Sequence, residues 1–225
     1  MSSASPAESL RTGLAQLPLA DLDAGQVARL LAYLDLLEQW NRAYNLTAVR
    51  QRADMVTRHL LDSLAVLPWI PGERLLDAGS GAGLPGVPLA IARPDLAVTL
   101  LDSAGKKIRF LEHLRRELGL RNATPVQARL EAWAPEGPNS APFDAIISRA
   151  FASLAAFAAA ARHLAGAARL LAMTGRPLRA ATGKMARSAG PRQNRTPLPR
   201  CPPDTAPSPR RTVHEVILKH TGRHA

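Results

Sequence analysis

LLDAGSGAGLPGVPLA, residues 75–90, is an apolar run that ends on an acid and opens into closely spaced glycines. Gly81-Ala-Gly83-Leu-Pro-Gly86 spells G-x-G-x-x-G, while the same residues read from Asp77 spell acid-x-Gly79-x-Gly81-x-Gly83. In both readings a buried strand runs into a glycine loop and then into a helix. Glycine there lets the backbone take positive φ and lets a ligand approach the main chain closely. The two readings imply different cofactors.

Working outward, RLLDAG is a short buried strand and the loop is followed by a helix to about Ile91, ended by Arg93-Pro94. Pro85 and Pro88 suit a helix first turn, where backbone donors have no partner anyway. AVTLLDS (97–103) is a second strand, and residues 106–118 form an amphipathic helix closed by Gly119. ATPVQAR (123–129) and FDAIISRA (143–150) are further strands, then LAAFAAAARHL is a helix and ARLLAMTG a strand. Strands alternating with helices at this spacing predict an α/β fold, a doubly wound and mainly parallel sheet. Upstream, residues 24–45 carry Val27, Leu30, Leu31, Leu34, Leu37 and Tyr44 at helical period behind Asp23 as N-cap. A second amphipathic segment over 53–67 is closed by Pro68. The expected organisation is a helical extension (1–68), a core (69–176), a Pro/Arg-rich segment without structure (177–212), and a last strand and tail (213–225).

The chain has a net charge of +11, yet residues 1–161 carry equal numbers of acidic and basic side chains. The excess lies in the tail, so charge alone argues weakly for a polyanionic partner. There is no apolar run long enough for a membrane span, and no secretory leader is visible at the N-terminus. One cysteine, Cys201, can neither form an intrachain disulfide nor build a cysteine metal site alone. The expectation is a cytoplasmic protein that uses no membrane.

In the dinucleotide reading the first glycine follows the strand directly and a pyrophosphate sits on the loop. Here the strand ends on Asp77, whose charge is awkward beside a pyrophosphate and natural beside the ammonium of a methionine moiety. Asp102 ends the next strand, where a ribose-binding acid is expected for either cofactor. The acid-loop-acid spacing favours S-adenosyl-L-methionine over NAD, with a ligand-free glycine turn as the third reading.

LLDAGSGAGLPGVPLAIARP, LLDSAGKKIRFL and ISRAFASL, with WNRAYNLTAVR and RHLLDS upstream, resemble the ribosomal RNA small subunit methyltransferase G family. That family is also called the glucose-inhibited division protein B family. The resemblance runs from about residue 26 to 176. It implies a Rossmann-like class I methyltransferase that moves a methyl group from S-adenosyl-L-methionine to N7 of a guanine in the 530 loop of 16S rRNA, position 527 in conventional rRNA numbering. Its partner would be 16S rRNA or the small ribosomal subunit, met by a monomer. Carried over by position, the resemblance puts Gly79 and Leu84 on the methionine side of the cofactor, Leu130 and Glu131 at the adenine, and Arg149 at the methyl-donor pocket. Asp77, Gly81, Gly83 and Asp102 join them by the general methyltransferase pattern.

Guanine N7 carries a lone pair and no proton, so its methylation needs no general base, and no catalytic residue is assigned. The Asn/Asp-Pro-Pro-aromatic loop used for exocyclic amines is replaced by Ser-Arg-Ala-Phe at 148–151. Cys201, in a proline-rich stretch, is a poor candidate nucleophile. Arg149 either pairs with an acid or meets a ligand at a strand end. Phe151 either stacks on a base or packs in the core. His59 and Asp62, one turn apart, suit a structural polar network better than a metal site. Trp40, Asn41, Tyr44 and Asn45 either pack and cap or shape the substrate side. Lys106, Lys107, Arg109, Arg115 and Arg116 form a basic helix face, solvated or phosphate-binding.

The sequence departs from the family after ARLLAM. Thr174 stands where the family usually has lysine, and residues 175–212 hold eight prolines and no aromatic residue. That stretch reads as structureless, as if translated in a shifted frame of a GC-rich gene. Three other outcomes stay open: an RNA-binding family member without turnover, a small-molecule methyltransferase, and an NAD-dependent oxidoreductase.

Overall fold

The computed structural model describes residues 5–136, 141–149, 151 and 153–174, together with the backbone of 193–195 and 212–216. Five strands form the parallel part of one sheet: β1 (Arg74–Ala78), β2 (Ala97–Asp102), β3 (Ala123–Gln127), β4 (Ala145–Ser148) and β5 (Arg169–Thr174). β6 (Gln193–Arg195) and β7 (Thr212–Val216) add antiparallel pairings, giving the order β3-β2-β1-β4-β5-β7-β6. The central strands read as continuous apolar runs because both faces are covered. β3, which contains Pro125, lies at an edge, where a missing donor costs no ladder bond.

Helices cover both faces. α5 (Gly86–Ala92) and α6 (Gly105–Glu117) pack on one side, and α7 (Leu154–Ala165) on the other. The N-terminal helices form an outer layer over α5 and α6 and share their core, with Leu30, Leu34, Leu60 and Leu64 all at 0 % exposure. α1 (Pro6–Leu14) begins with a capping box, Ser5 with Glu8, and with proline in its first turn. α2 (Ala24–Tyr44) starts at Asp23, whose carboxylate accepts from Gln26 N–H at 2.7 Å. Gln26 in turn donates to the carbonyls of Ile91 and Ala92, which closes the end of α5.

Two sequence expectations differ from what is found. The segment 53–67 is not one regular helix: α3 (Arg52–Met55), a π-helical turn (Val56–Leu61) and α4 (Asp62–Leu64) follow in sequence. Pro68 lies inside a short 3₁₀ turn (Leu67–Trp69) instead of closing the helix, since proline's missing donor is tolerated in a first turn. β6 lies within the stretch read as structureless. Ladder bonds are made by backbone, so a Pro/Arg-rich composition does not forbid a three-residue edge pairing. The remainder of 175–211, with Cys201, lies outside the described residues.

Candidate functional site

β1 delivers Asp77 and Ala78 to the carboxyl end of the sheet, where doubly wound folds bind ligands. The chain then turns back on itself. Gly79 and Ser80 both donate their N–H to the Leu101 carbonyl, at 2.8 and 3.0 Å, so the loop is tied to the end of β2. Gly79, Gly81 and Gly83 have φ of 76°, 60° and 88°, conformations that side-chain-bearing residues rarely adopt. Gly86 is required for a different reason. A Cβ there would come within 2.3 Å of Leu100 and 2.6 Å of an Asp77 carboxylate oxygen.

Asp77 is fully buried beneath this loop. Its Oδ2 accepts from Gly86 N–H at 2.9 Å, while Oδ1 has no hydrogen-bond partner among the described residues. Burial pushes its carboxyl up to about 7, against lowering by the Gly86 N–H, Ser80 and the Arg149 charge. The loop is also held from outside. The Tyr33 hydroxyl on α2 donates to the Ala82 carbonyl at 3.0 Å, and burial pushes that phenol upward.

Asp102 ends β2 with both oxygens engaged. Oδ2 accepts from Gly81 N–H at 3.0 Å and pairs with Lys107 Nζ at 3.1 Å; Oδ1 accepts from Ala104 N–H at 2.9 Å. A cleft of about 240 Å³ opens beside it, lined by Gly79, Leu101, Asp102, Ser103, Lys107, Ala128, Arg129, Leu130, Glu131 and Phe151. Of the cofactor-site residues expected from sequence, Gly79, Asp102, Leu130 and Glu131 meet at this cleft. Gly81 reaches it through Asp102. Asp77, Gly83, Leu84 and Arg149 do not line it: the first three are buried in or under the loop. Arg149, at the end of β4, reaches back to the N-terminal helices, donating to Ser63 Oγ at 3.2 Å and to the Arg58 carbonyl at 3.4 Å.

Sequence reasoning placed Lys107 on a basic face, whereas it pairs with Asp102; its place one turn into the helix after that acid was the available signal. Tyr33 was missed because nothing local connects it to a loop 49 residues away. Phe151 lines the cleft and also meets Phe157 at 5.3 Å between ring centres, so both of its readings apply. Asn41 and Asn45 act as connectors. Asn41 Oδ1 accepts from Thr47 N–H, Thr47 Oγ1 lies 3.0 Å from His59 Nε2, and Asn45 closes α2 in a left-handed conformation. Among the described residues no group of three or more potential ligands could hold a metal ion. No helix of the described residues is long and apolar enough to cross a membrane.

The donor set suits an adenosyl sulfonium cofactor. Asp102 offers a carboxylate for a ribose diol. Asp77, buried under the positive-φ glycine cradle, keeps one carboxylate oxygen, Oδ1, without a hydrogen-bond partner, an acceptor that a cationic amino acid moiety would balance. A Cβ on Gly81 would meet nothing closer than 3.8 Å, so open space adjoins the loop there.

The family GidB, described as rRNA small subunit methyltransferase G, matches residues 26–188, past the point where the quoted motifs end. The "Ribosomal RNA small subunit methyltransferase G" of Alkalilimnicola ehrlichii is 53% identical over 168 residues, 74% of this chain and 74% of its own length. The protein of the same name from Salmonella arizonae is 53% identical over 141 residues, 63% of this chain. The match spans 66% of that relative's length. Among solved structures, a SAM-dependent methyltransferase from Aquifex aeolicus aligns with TM-score 0.47 and 17% identity, covering 70% of this chain and 90% of its own.

Proposed function

We infer the function from one premise: the chain belongs to the rRNA small subunit methyltransferase G family. Its reaction is the transfer of a methyl group from S-adenosyl-L-methionine to N7 of a guanine in the 530 loop of 16S rRNA. The observation that carries this reading is the pairing of the two acids with the glycine loop: Asp77 beneath it on Gly86 N–H and Asp102 beside it on Gly81 N–H.

When bound, the cofactor supplies an electrophilic methyl group on a sulfonium, which leaves as a neutral thioether. The protein's contribution is to hold and orient. Asp102 binds the ribose, and Leu130 and Glu131 flank the adenine. Gly79, Gly81, Gly83 and Leu84 shape the methionine side, and Asp77 sets its charge balance. Arg149, whose charge acts on Asp77, ties the donor pocket to the N-terminal helices through Ser63 and the Arg58 carbonyl. Guanine N7 carries no proton, so no side chain has to remove one. Alignment of nucleophile and methyl group supplies the rate. The place where amine methyltransferases carry Asn/Asp-Pro-Pro-aromatic is here Ser148-Arg149-Ala150-Phe151, which agrees with a reaction that needs no such acceptor. The partner we infer is 16S rRNA, free or in the small subunit, met in the cytoplasm by a monomer.

The test is methyl transfer from labelled S-adenosyl-L-methionine to small subunits lacking this modification, with the product base mapped. Label recovered as 7-methylguanine in the 530 loop is the expected result. Label on another base, or methyl transfer indifferent to rRNA, overturns the assignment.

A further inference from the structure

Tyr44 is the one exposed large apolar side chain among the described residues, at 37 % exposure. It is not isolated. Its ring stacks on Trp40 with centroids 5.2 Å apart and 28° between planes. Trp40, half-buried, meets the His113 ring at 5.2 Å and Phe110 at 5.3 Å, both on α6. Phe110 is fully buried and anchors the group. The result is a graded series of rings, from core to surface, that ends on an exposed phenol.

The α6 side of this series is basic. Lys106, Arg109, His113 and Arg116 follow one another at intervals of three, four and three residues, which places them on a single stripe of the helix. Lys106, Arg109 and Arg116 are exposed, and among the described residues none has a carboxylate within salt-bridge distance. Glu117 reaches only His113, at 3.8 Å. Arg50, in the loop after α2, adds a third guanidinium and donates to Asn45 Oδ1 at 3.0 Å. Lys106 directly precedes Lys107, which lines the cleft.

An exposed aromatic face flanked by unpaired cations is the combination that holds single-stranded nucleic acid, since stacking serves any base and the cations follow the backbone. A protein partner would favour a larger apolar patch, and a membrane would favour more than one exposed large apolar side chain. We propose that Tyr44, backed by Trp40 and flanked by the α6 stripe of Lys106, Arg109 and Arg116, is a stacking platform for an unpaired base of the RNA whose neighbouring guanine enters the cleft. The platform rests on the rRNA reading and extends it by naming where the RNA lies.

The experiment compares wild-type protein with Tyr44→Ala, Tyr44→Phe and Arg109→Glu/Arg116→Glu for binding to unmethylated small subunits across a salt series. Binding of S-adenosyl-L-methionine and the melting temperature are measured on the same samples. The Tyr44→Ala variant is expected to weaken RNA binding about tenfold. Tyr44→Phe is expected to keep it, because the ring and not the hydroxyl stacks. The double charge reversal is expected to weaken binding and flatten its salt dependence. Cofactor affinity is expected to stay unchanged in all three. RNA binding of Tyr44→Ala equal to wild type overturns the platform, as does an equal loss in Tyr44→Phe. A wild-type protein that binds no small subunit instead overturns the rRNA reading itself.

Discussion

Asp77 is where a single side chain is asked to satisfy conflicting demands. It must accept from Gly86 N–H to close the loop, and it is fully buried with its second oxygen unpartnered. Its carboxyl is held up to about 7, from an ordinary value of 3.8, chiefly by burial. Between those two values the folded protein keeps a proton that the unfolded chain has released. Stability therefore falls as pH rises through this window and levels off above it. The Asp77→Asn variant keeps the acceptor for Gly86 and removes the charge. It is expected to melt higher than wild type at pH 8 by at least about 3 °C, the shift that roughly 1 kcal/mol makes in a chain of this size. It is also expected to lose the pH dependence between 4 and 7, and to bind S-adenosyl-L-methionine more weakly. A thermal melt series from pH 4 to 8 reads the first two; unchanged slopes would contradict the assignment of the burden to Asp77.

Among elements, the N-terminal helices are more than a cover. α2 closes α5 through Gln26 and holds the glycine loop through Tyr33, and Arg149 ties β4 to the π-helical turn and Ser63. π-Turns occur often at functional sites because the extra residue redirects carbonyls, and here the Arg58 carbonyl is one that Arg149 uses. The extension thus holds the glycine loop in place. Removing the Tyr33 hydroxyl leaves the buried Ala82 carbonyl without that partner. Tyr33→Phe is expected to cost about 1 kcal/mol in denaturant unfolding, with a parallel loss of cofactor affinity. A loss of stability with unchanged affinity would reduce Tyr33 to a structural contact.

For the whole molecule, the parallel sheet was legible because its rules are local. Apolar strands of four to six residues, acids at the ends of β1 and β2, and glycines with positive φ are all written in consecutive residues. The glycine loop and Asp102 at the end of β2 were legible for the same reason, whereas Leu130 and Glu131 came only from the family resemblance. What was not legible depends on contacts across the fold. Tyr33 holds the loop from 49 residues upstream, Ser63 and the Arg58 carbonyl lie in the RHLLDS stretch but meet Arg149 only through the fold, and the π-turn hides in an unbroken amphipathic pattern. Asp77 shows a subtler limit. Its place at the end of β1 was readable, but its complete burial under the loop required the packing of Gly86 against Leu100. The opening ambiguity resolves in the same terms: Gly86 performs the close helix–strand packing of the dinucleotide fingerprint, while the acids on either side of the loop favour the adenosyl sulfonium cofactor.

The cleft draws on four separate stretches of chain, at Gly79, at 101–107, at 128–131 and at Phe151, and Asp102 is the side chain that joins the first two. The most direct measurement is therefore a calorimetric titration of S-adenosyl-L-methionine into wild-type protein and Asp102→Ala, at equal pH and salt. The account predicts saturable one-site binding to the wild type and at least about tenfold weaker binding to the variant, the loss of roughly 1.4 kcal/mol expected from removing a charged hydrogen-bond acceptor. Equal affinity in the two proteins would contradict it, and would move the cofactor site away from Asp102.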